Sequence, residues 1–318
     1  MKIVILEADS LGSDMDLSGF SRFGEVVIYN TTKEDECPSR VSDADVVICN
    51  KVRMCARTLQ GAERLKLICV TATGTNNIDA NYVKKHQIAV TNVAGYSTAS
   101  VAQHTFAMYF YLAEKLRYYD DYVKDGSYAK SELFTCFGEP FTELEGKTWG
   151  IIGLGAIGRK VAAIARSFGC HVIYYSTSGN HEDPEFERVS FRQLLKDSDV
   201  ISIHSPLTPE TENLMTLETF VNMKRTAILI NVGRGPIVNE WDLCIALNEG
   251  LIAGAALDVL SSEPMKADNP LLAIKDSRKL YITPHIAWAS VEARTRLIRM
   301  VQKNLESYLA GGDLNRVY

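Results

Sequence analysis

The chain has 318 residues, 34 basic against 39 acidic, a formal net charge of -5, and 46% hydrophobic residues. It is too long for one compact core and about right for two domains, and no basic stripe marks it for nucleic acid or an anionic membrane. Its longest apolar stretch, Phe106 to Ala113, is far too short to cross a bilayer, and Met1 to Leu6 reads as a first strand and not as a signal peptide, so a cytoplasmic protein with no membrane and no nucleic-acid partner is expected.

In chain order, short apolar runs alternate with helical patterns, as parallel α/β architecture requires. Ile3 to Leu6, Val26 to Tyr29, Val46 to Cys49, Leu67 to Val70 and Ala89 to Asn92 read as five strands of a first sheet. A boundary is expected near Ser97 to Ser100. From Ala99 to Tyr119 runs one long helical pattern, apolar over much of its surface, expected to bridge the sheets and to lie against a neighbouring domain or partner subunit, or to be an ordinary core helix.

Thr148 to Ile152 then forms a strand, followed by Val172 to Tyr175, Val200 to His204, Ala227 to Val232, Ala255 to Val259 and Leu280 to Thr283, six strands for a second sheet. The two halves echo each other: Ser42 to Ile48 parallels Asp197 to Ile203, each a capped helix end running into a buried strand. Val291 to Leu309 is a closing helix that leads back to the first domain. The expected fold class is α/β with two doubly wound parallel-sheet domains. A flavodoxin-like substrate domain would span 1–98 and 288–318 and be discontinuous, and a Rossmann dinucleotide-binding domain would span 99–287.

The seven cysteines, at 37, 49, 55, 69, 136, 170 and 244, include no C-x-x-C pair and no histidine at metal spacing, so buried free thiols and no metal are expected. Chemistry is sought beyond the carboxyl ends of the strands, where open α/β sheets bind ligands. Gly153-Leu154-Gly155-Ala156-Ile157-Gly158 sits between a strand and a helix, the context in which G-x-G-x-x-G binds a pyrophosphate. Its first glycine permits the tight turn, the second lets the backbone approach the phosphates, and the third lets helix and strand pack closely.

Three further residues follow apolar runs of the second half: Arg234, Glu263 and His285. Oxidising a 2-hydroxy acid requires a fork for its carboxylate, a base for the hydroxyl proton and a group to orient that base. Arg234 suits the first as a planar guanidinium, His285 the second, since imidazoles exchange protons near neutrality, and Glu263 the third.

At these motifs the chain resembles the D-isomer-specific 2-hydroxyacid dehydrogenase family. The resemblance rests on the glycine turn, Asn231-Val232-Gly233-Arg234-Gly235-Pro236-Ile237-Val238-Asn239-Glu240, Ala256-Leu257-Asp258-Val259 through Glu263-Pro264, Thr283-Pro284-His285-Ile286-Ala287-Trp288, and Thr71 to Asp79. It implies a nicotinamide-dependent enzyme acting on a CH–OH group, with Arg234, Glu263 and His285 as the catalytic set. It implies substrate contacts from Thr73, Gly74 and Thr75, joined by Arg234, His285 and Trp288, and a nicotinamide amide contact from Asp258. Cofactor contacts are expected from Gly153, Gly155, Ala156, Ile157, Gly158, Ser176, Thr177, Ser178, His204, Pro206, Thr211, Val232, Gly233, Arg234, Asp258 and His285.

Asn50-Lys51-Val52 and Val93 to Thr98 look most like the glycerate dehydrogenase or hydroxypyruvate reductase branch, with Lys51 facing a polar substrate tail or standing in solvent. The small 2-keto or 2-hydroxy acid is therefore expected to be hydroxypyruvate or D-glycerate. Pyruvate and D-lactate, glyoxylate, phosphoglycerate or formate chemistry are the alternatives, as is a dinucleotide-sensing corepressor. Resemblance also suggests a homodimer through the Ala99 to Tyr119 region. Where NAD enzymes place an acid roughly 20 residues beyond the glycines, this chain has Tyr175-Ser176-Thr177-Ser178, with His181 the only nearby basic candidate. NAD is the expected cofactor, with NADP admitted because the acidic ribose-binding residue is absent.

Overall fold

The computed structural model describes residues 1–180 and 182–318; His181, named above, lies outside the described residues. Two compact units divide the chain, Met1–Ser97 with Ala289–Tyr318, and Thr98–Trp288. These crossings stand one residue before and one residue after the limits expected from sequence.

In the first unit, β1 (Lys2–Ile5), β2 (Glu25–Ile28), α1 (Cys37–Val41), β3 (Val46–Cys49), β4 (Leu67–Val70), α2 (Ala80–Lys85) and β5 (Ala89–Thr91) follow in turn. All five strands are parallel, in the order β2-β1-β3-β4-β5. β3 and β4 are buried along their whole length, which is why they read as continuous apolar runs. The order reverses between β1 and β3, which makes the loops after those two strands the unit's ligand-facing crevice by the rule for open sheets. A closing helix, Val291–Leu309, starts at Ser290, whose hydroxyl accepts the N–H of Ala293, and buries Ala293, Leu297, Ile298, Val301 and Leu305 along one stripe. Beyond it, Val317 and Tyr318 bond Val90, covering the exposed edge of β5.

The second unit begins with α3 (Thr98–Ala113) and α4 (Leu116–Lys124). The single helix expected from Ala99 to Tyr119 is thus two, because Lys115 takes a left-handed backbone, φ 55, and ends the first. α3 buries Val101, Ala102, Phe106, Met108, Tyr109 and Leu112 within its own unit, the ordinary role of a core helix. Next come β6 (Thr148–Ile152), α5 (Ala156–Ser167), β7 (His171–Tyr175), β8 (Glu187–Arg188), α6 (Phe191–Asp197), β9 (Val200–Ile203), α7 (Leu217–Val221), β10 (Ile228–Asn231), α8 (Glu240–Asn248), β11 (Gly254–Leu257) and β12 (Leu280–Ile282).

Its sheet has seven strands where six were expected, all parallel, in the order β12-β11-β10-β9-β6-β7-β8. The added β8 is a two-residue, charged and exposed edge strand on β7, with no apolar run to announce it. One face of the sheet packs Trp149, Ile151 and Tyr174 against α3 and α5; the other packs Ile152, Ile203 and Leu229 against residues of α6, α7 and α8. The strand order reverses between β6 and β9, beside the glycine turn.

The echo between halves has a structural counterpart. Asp45, before β3, accepts the N–H of Lys2 at 2.7 Å, and Asp199, before β9, accepts the N–H of Thr148 at 2.9 Å. Each carboxylate fastens the start of its unit's first strand to the strand across the switch point.

Candidate active site

The glycine turn closes as its sequence requires. Gly153 has φ +91, and a Cβ there would stand 2.8 Å from the backbone nitrogen of Ser205. A Cβ on Gly158 would collide with the carbonyl oxygen of Gly153, so helix α5 can approach its strand only with glycine at that position. Over Gly155 there is open space, and this N-cap residue makes no side-chain cap bond, which leaves N–H groups of the first turn for an anion. Ala156 is exposed and Ile157 half-buried on the same turn.

A dinucleotide fits this cradle on a second observation. The Ser205 hydroxyl and Nδ1 of His204, at the end of β9 beside Gly153, are buried without a hydrogen-bond partner among the described residues. His204 Nε2 lies 3.0 Å from the Ser202 hydroxyl, which also accepts Trp149 Nε1 at 2.8 Å. Burial pushes the imidazole of His204 down to about 3, so it stands neutral at working pH. Thr211 is different: its buried hydroxyl bonds the Pro206 carbonyl at 2.8 Å and accepts the N–H of Thr208, so it shapes the 206–211 turn from inside. Pro206 is exposed on that turn and Val232 is half-buried beyond β10.

At the end of β7, Ser176 is buried, Thr177 half-buried and Ser178 exposed. The sequence left His181 as the only basic group here, but β8 brings in another. The Arg188 guanidinium lies 3.8 Å from where a Cβ on Gly179 would stand.

Strands β10, β11 and β12 end in register, Asn231 beside Leu257 and Leu257 beside Ile282. The loops that leave them carry Arg234, Glu263 and His285, and each is held from below. Asn231, fully buried, accepts the N–H of Gly233 and donates to the carbonyl of Arg234, both at 3.0 Å. Gly235 packs so closely on Leu260 that any side chain would overlap its carbonyl group, which keeps the Arg234 and Glu263 loops together. Glu240 accepts the N–H of Ser261 at 2.6 Å and the amide of Asn269 at 2.7 Å, fixing the loop that carries Glu263.

Glu263 and His285 meet. Oε1 of Glu263 accepts the N–H of Leu260 at 3.0 Å, and Oε2 lies 2.6 Å from Nδ1 of His285. With Nδ1 committed to the carboxylate, Nε2 is the nitrogen left to exchange a proton with a ligand. The side chains of His285 and Glu263 are 26% and 34% exposed, open enough for a ligand to reach. Arg234 donates Nη1 to the carbonyl of Gly233 at 2.8 Å, which steers its fork from the same edge of the sheet.

Asp258 lies beneath the turn that carries His285. Its carboxylate is 1% exposed and turned under the His285 loop, where Thr283 Oγ1, Ile286 N and Ala287 N donate to it. Two backbone N–H groups and one hydroxyl thus hold these oxygens beneath the loop. Trp288, the last residue of this unit, is half-buried.

In the first unit, Glu7 does for Lys51 what Asn231 does for Arg234. Its carboxylate accepts the N–H groups of Asn50, Lys51 and Val52 at 2.8 to 3.0 Å, and the Lys51 side chain stands exposed. The adjoining loop is tied to it: Asn77 donates to the Val52 carbonyl at 3.0 Å. Thr73 Oγ1 bonds the Val93 carbonyl, and Gly74 and Thr75 are half-buried. Asn231 and Glu240 lie inside motifs already quoted and Glu7 just past a strand end, so position gave a signal for all three; their partners, backbone N–H groups, gave none. The thiols stay in the background: all seven are free, and burial pushes Cys69 up to about 12 and Cys37 and Cys170 to about 11.

The chain resembles known proteins over its full length. Residues 106–287 match the sequence profile of the D-isomer specific 2-hydroxyacid dehydrogenase NAD binding domain. The chain is 38% identical over 323 residues to a hydroxypyruvate reductase of Blautia hydrogenotrophica, covering 100% of this chain and 99% of that one. It is 38% identical over 317 residues to a glycerate dehydrogenase of Methylorubrum extorquens, covering 99% and 98%. Among solved structures, D-lactate dehydrogenase from Aquifex aeolicus, complexed with NAD and lactic acid, superposes with a TM-score of 0.86 at 28% identity, covering 100% and 99%.

Proposed function

The chain belongs to the D-isomer specific 2-hydroxyacid dehydrogenase family, enzymes that act on a CH–OH group with a nicotinamide dinucleotide, and we propose that its substrate is hydroxypyruvate, reduced to D-glycerate. The observation that carries the chemistry is the 2.6 Å pairing of His285 with Glu263 on strand ends in register with the one that precedes Arg234. Two relatives of full length bear the names hydroxypyruvate reductase and glycerate dehydrogenase, and this supports the choice of substrate.

When bound, a nicotinamide dinucleotide would supply the hydride. The protein's own residues do the rest. Arg234 takes the substrate carboxylate and polarises the neighbouring carbonyl. His285 gives its Nε2 proton to the carbonyl oxygen as charge develops there, while Glu263 keeps the ring in one orientation. Lys51, Thr73, Gly74, Thr75 and Trp288 are assigned to the substrate on the family resemblance; replacing Lys51 with Met should raise KM for hydroxypyruvate if the assignment holds.

The dinucleotide would be held by the first turn of α5 with Gly153, Gly155 and Gly158, by Ser176 to Ser178, and by the 204–206 and 232–234 turns. We take NADPH to be accepted beside NADH, because Ser176 carries no charge to repel a 2′-phosphate and Arg188 lies next to Gly179. A homodimer is also proposed, and the exposed apolar residues that support it are Leu133, Phe134 and Phe137, at 63%, 89% and 82%, beyond the region expected from sequence. No helix among the described residues is long and apolar enough to cross a membrane; we assign the enzyme to the cytoplasm.

A spectrophotometric panel of hydroxypyruvate, glyoxylate, pyruvate and 2-ketobutyrate against NADH and NADPH tests these assignments together. Hydroxypyruvate is expected to give the highest kcat/KM with either dinucleotide. A higher value for another keto acid would overturn the substrate assignment.

A further inference from the structure

The turn that presents His285 is an unusual piece of backbone. His285 itself has φ 55, a left-handed conformation uncommon for a residue with a side chain, so its neighbours must hold it there. Asp258 supplies most of that hold. Its carbonyl accepts the N–H of His285 at 2.8 Å, Oδ1 accepts the N–H of Ile286 at 2.8 Å, and Oδ2 accepts the N–H of Ala287 at 2.9 Å.

Helix α3 reaches the same turn from a distant part of the sequence. Ser100 Oγ donates to the carbonyl of Ala287 at 2.6 Å, and one helical turn later His104 Nε2 lies 3.0 Å from Thr283 Oγ1. The Thr283 hydroxyl has one proton and lies 2.6 Å from Asp258 Oδ1, an oxygen that accepts, so the proton points to Asp258. The hydroxyl must then accept from His104, which places the ring proton on Nε2. Burial lowers the pKa of His104 against the opposing pull of Asp258, whose Oδ1 is 3.6 Å away, in keeping with a neutral ring in this tautomer.

We propose that His104 is a positioning residue for the reaction: through the Thr283 hydroxyl and the Asp258 carboxylate, it fixes the turn on which His285 meets Glu263. The proposal rests on the reading of His285 as the proton donor. On this account α3 contributes alignment of the acid, in addition to its apolar packing against Trp149.

Four variants test it. His104→Leu and Thr283→Val break the relay at nearly constant volume; His104→Gln and Thr283→Ser keep a donor or a hydroxyl in place. The first readout is the downfield proton resonance of His285 Nδ1, identified by its absence in His285→Gln. It should be weakened or lost in His104→Leu and Thr283→Val and retained in the two conservative variants. The second is steady-state kinetics. kcat should fall on the order of tenfold or more in the two breaking variants, as for a displaced reacting group, with KM and the Kd of NADH within about twofold. His104→Leu with Thr283→Val should lose no more than either alone, because both act through one chain of bonds.

A wild-type resonance together with wild-type kcat in His104→Leu would overturn the proposal, as would losses that add in the double variant, or a His104→Gln no better than His104→Leu. Should the unaltered protein turn over no keto acid, the functional reading fails instead, while the resonance still reports whether His104 positions the ring.

Discussion

Nδ1 of His285 and Oε2 of Glu263 lie 2.6 Å apart although 22 residues separate them, and His285 reaches that point from a left-handed backbone. The carboxylate is itself fixed, with its other oxygen on the N–H of Leu260. Removing it frees the ring to turn. Glu263→Ala should lower kcat on the order of 100-fold with little change in the Kd of NADH, and Glu263→Gln should lose less, because an amide can still bond Nδ1. Stopped-flow and steady-state rates on hydroxypyruvate check this; an alanine variant with unaltered kcat would refute the role.

Arg234 is assigned a bidentate grip on the substrate carboxylate, which a point charge reproduces poorly. Arg234→Lys should lose about 100-fold or more in kcat/KM, mostly through a raised KM, while the Kd of NADH stays near its original value. Equal kcat/KM in the lysine variant would show that the planar fork is not required.

The three glycines of the phosphate turn are not equivalent. At Gly158 a Cβ meets the Gly153 carbonyl, whereas at Gly155 it meets nothing within 4 Å. Gly158→Ala should cost roughly 1–3 kcal/mol of stability through overpacking and abolish measurable dinucleotide binding. Gly155→Ala should fold as the parent does and weaken only binding. Thermal unfolding and NADH fluorescence titration of the two variants give the comparison.

His204 makes stability depend on acid. Its pKa stands near 3 in the folded chain against an ordinary 6.5, so between those values the unfolded chain binds the extra proton and stability falls as the pH drops. At pH 5 the loss from this group is about 2 kcal/mol. His204→Gln, which cannot titrate, should lose correspondingly less stability between pH 7 and pH 5. Urea unfolding midpoints measure the difference, and identical losses in the two proteins would contradict it.

Much of this was legible in the sequence because burial on both faces writes a parallel strand as an uninterrupted apolar run; Val46 to Cys49 and Leu67 to Val70 are two such cases. Glu187–Arg188 escaped because an exposed edge strand carries no such run, and the break at Lys115 because neither Gly nor Pro marks it. Arg234, Glu263 and His285 could be picked out as residues beyond strand ends. The inward turn of Asp258 could not, since its partners are mainly backbone N–H groups that every residue but proline has. His104 and Ser100 left a trace that sequence reading passed over: two polar residues four apart on a largely apolar helix.

The role proposed for His285, moving the proton, is decided by His285→Ala. The variant is expected to bind NADH with a Kd within about twofold of the parent and to lose on the order of 10³-fold in kcat on hydroxypyruvate. Turnover at the parent rate in a variant that still binds NADH would contradict the account.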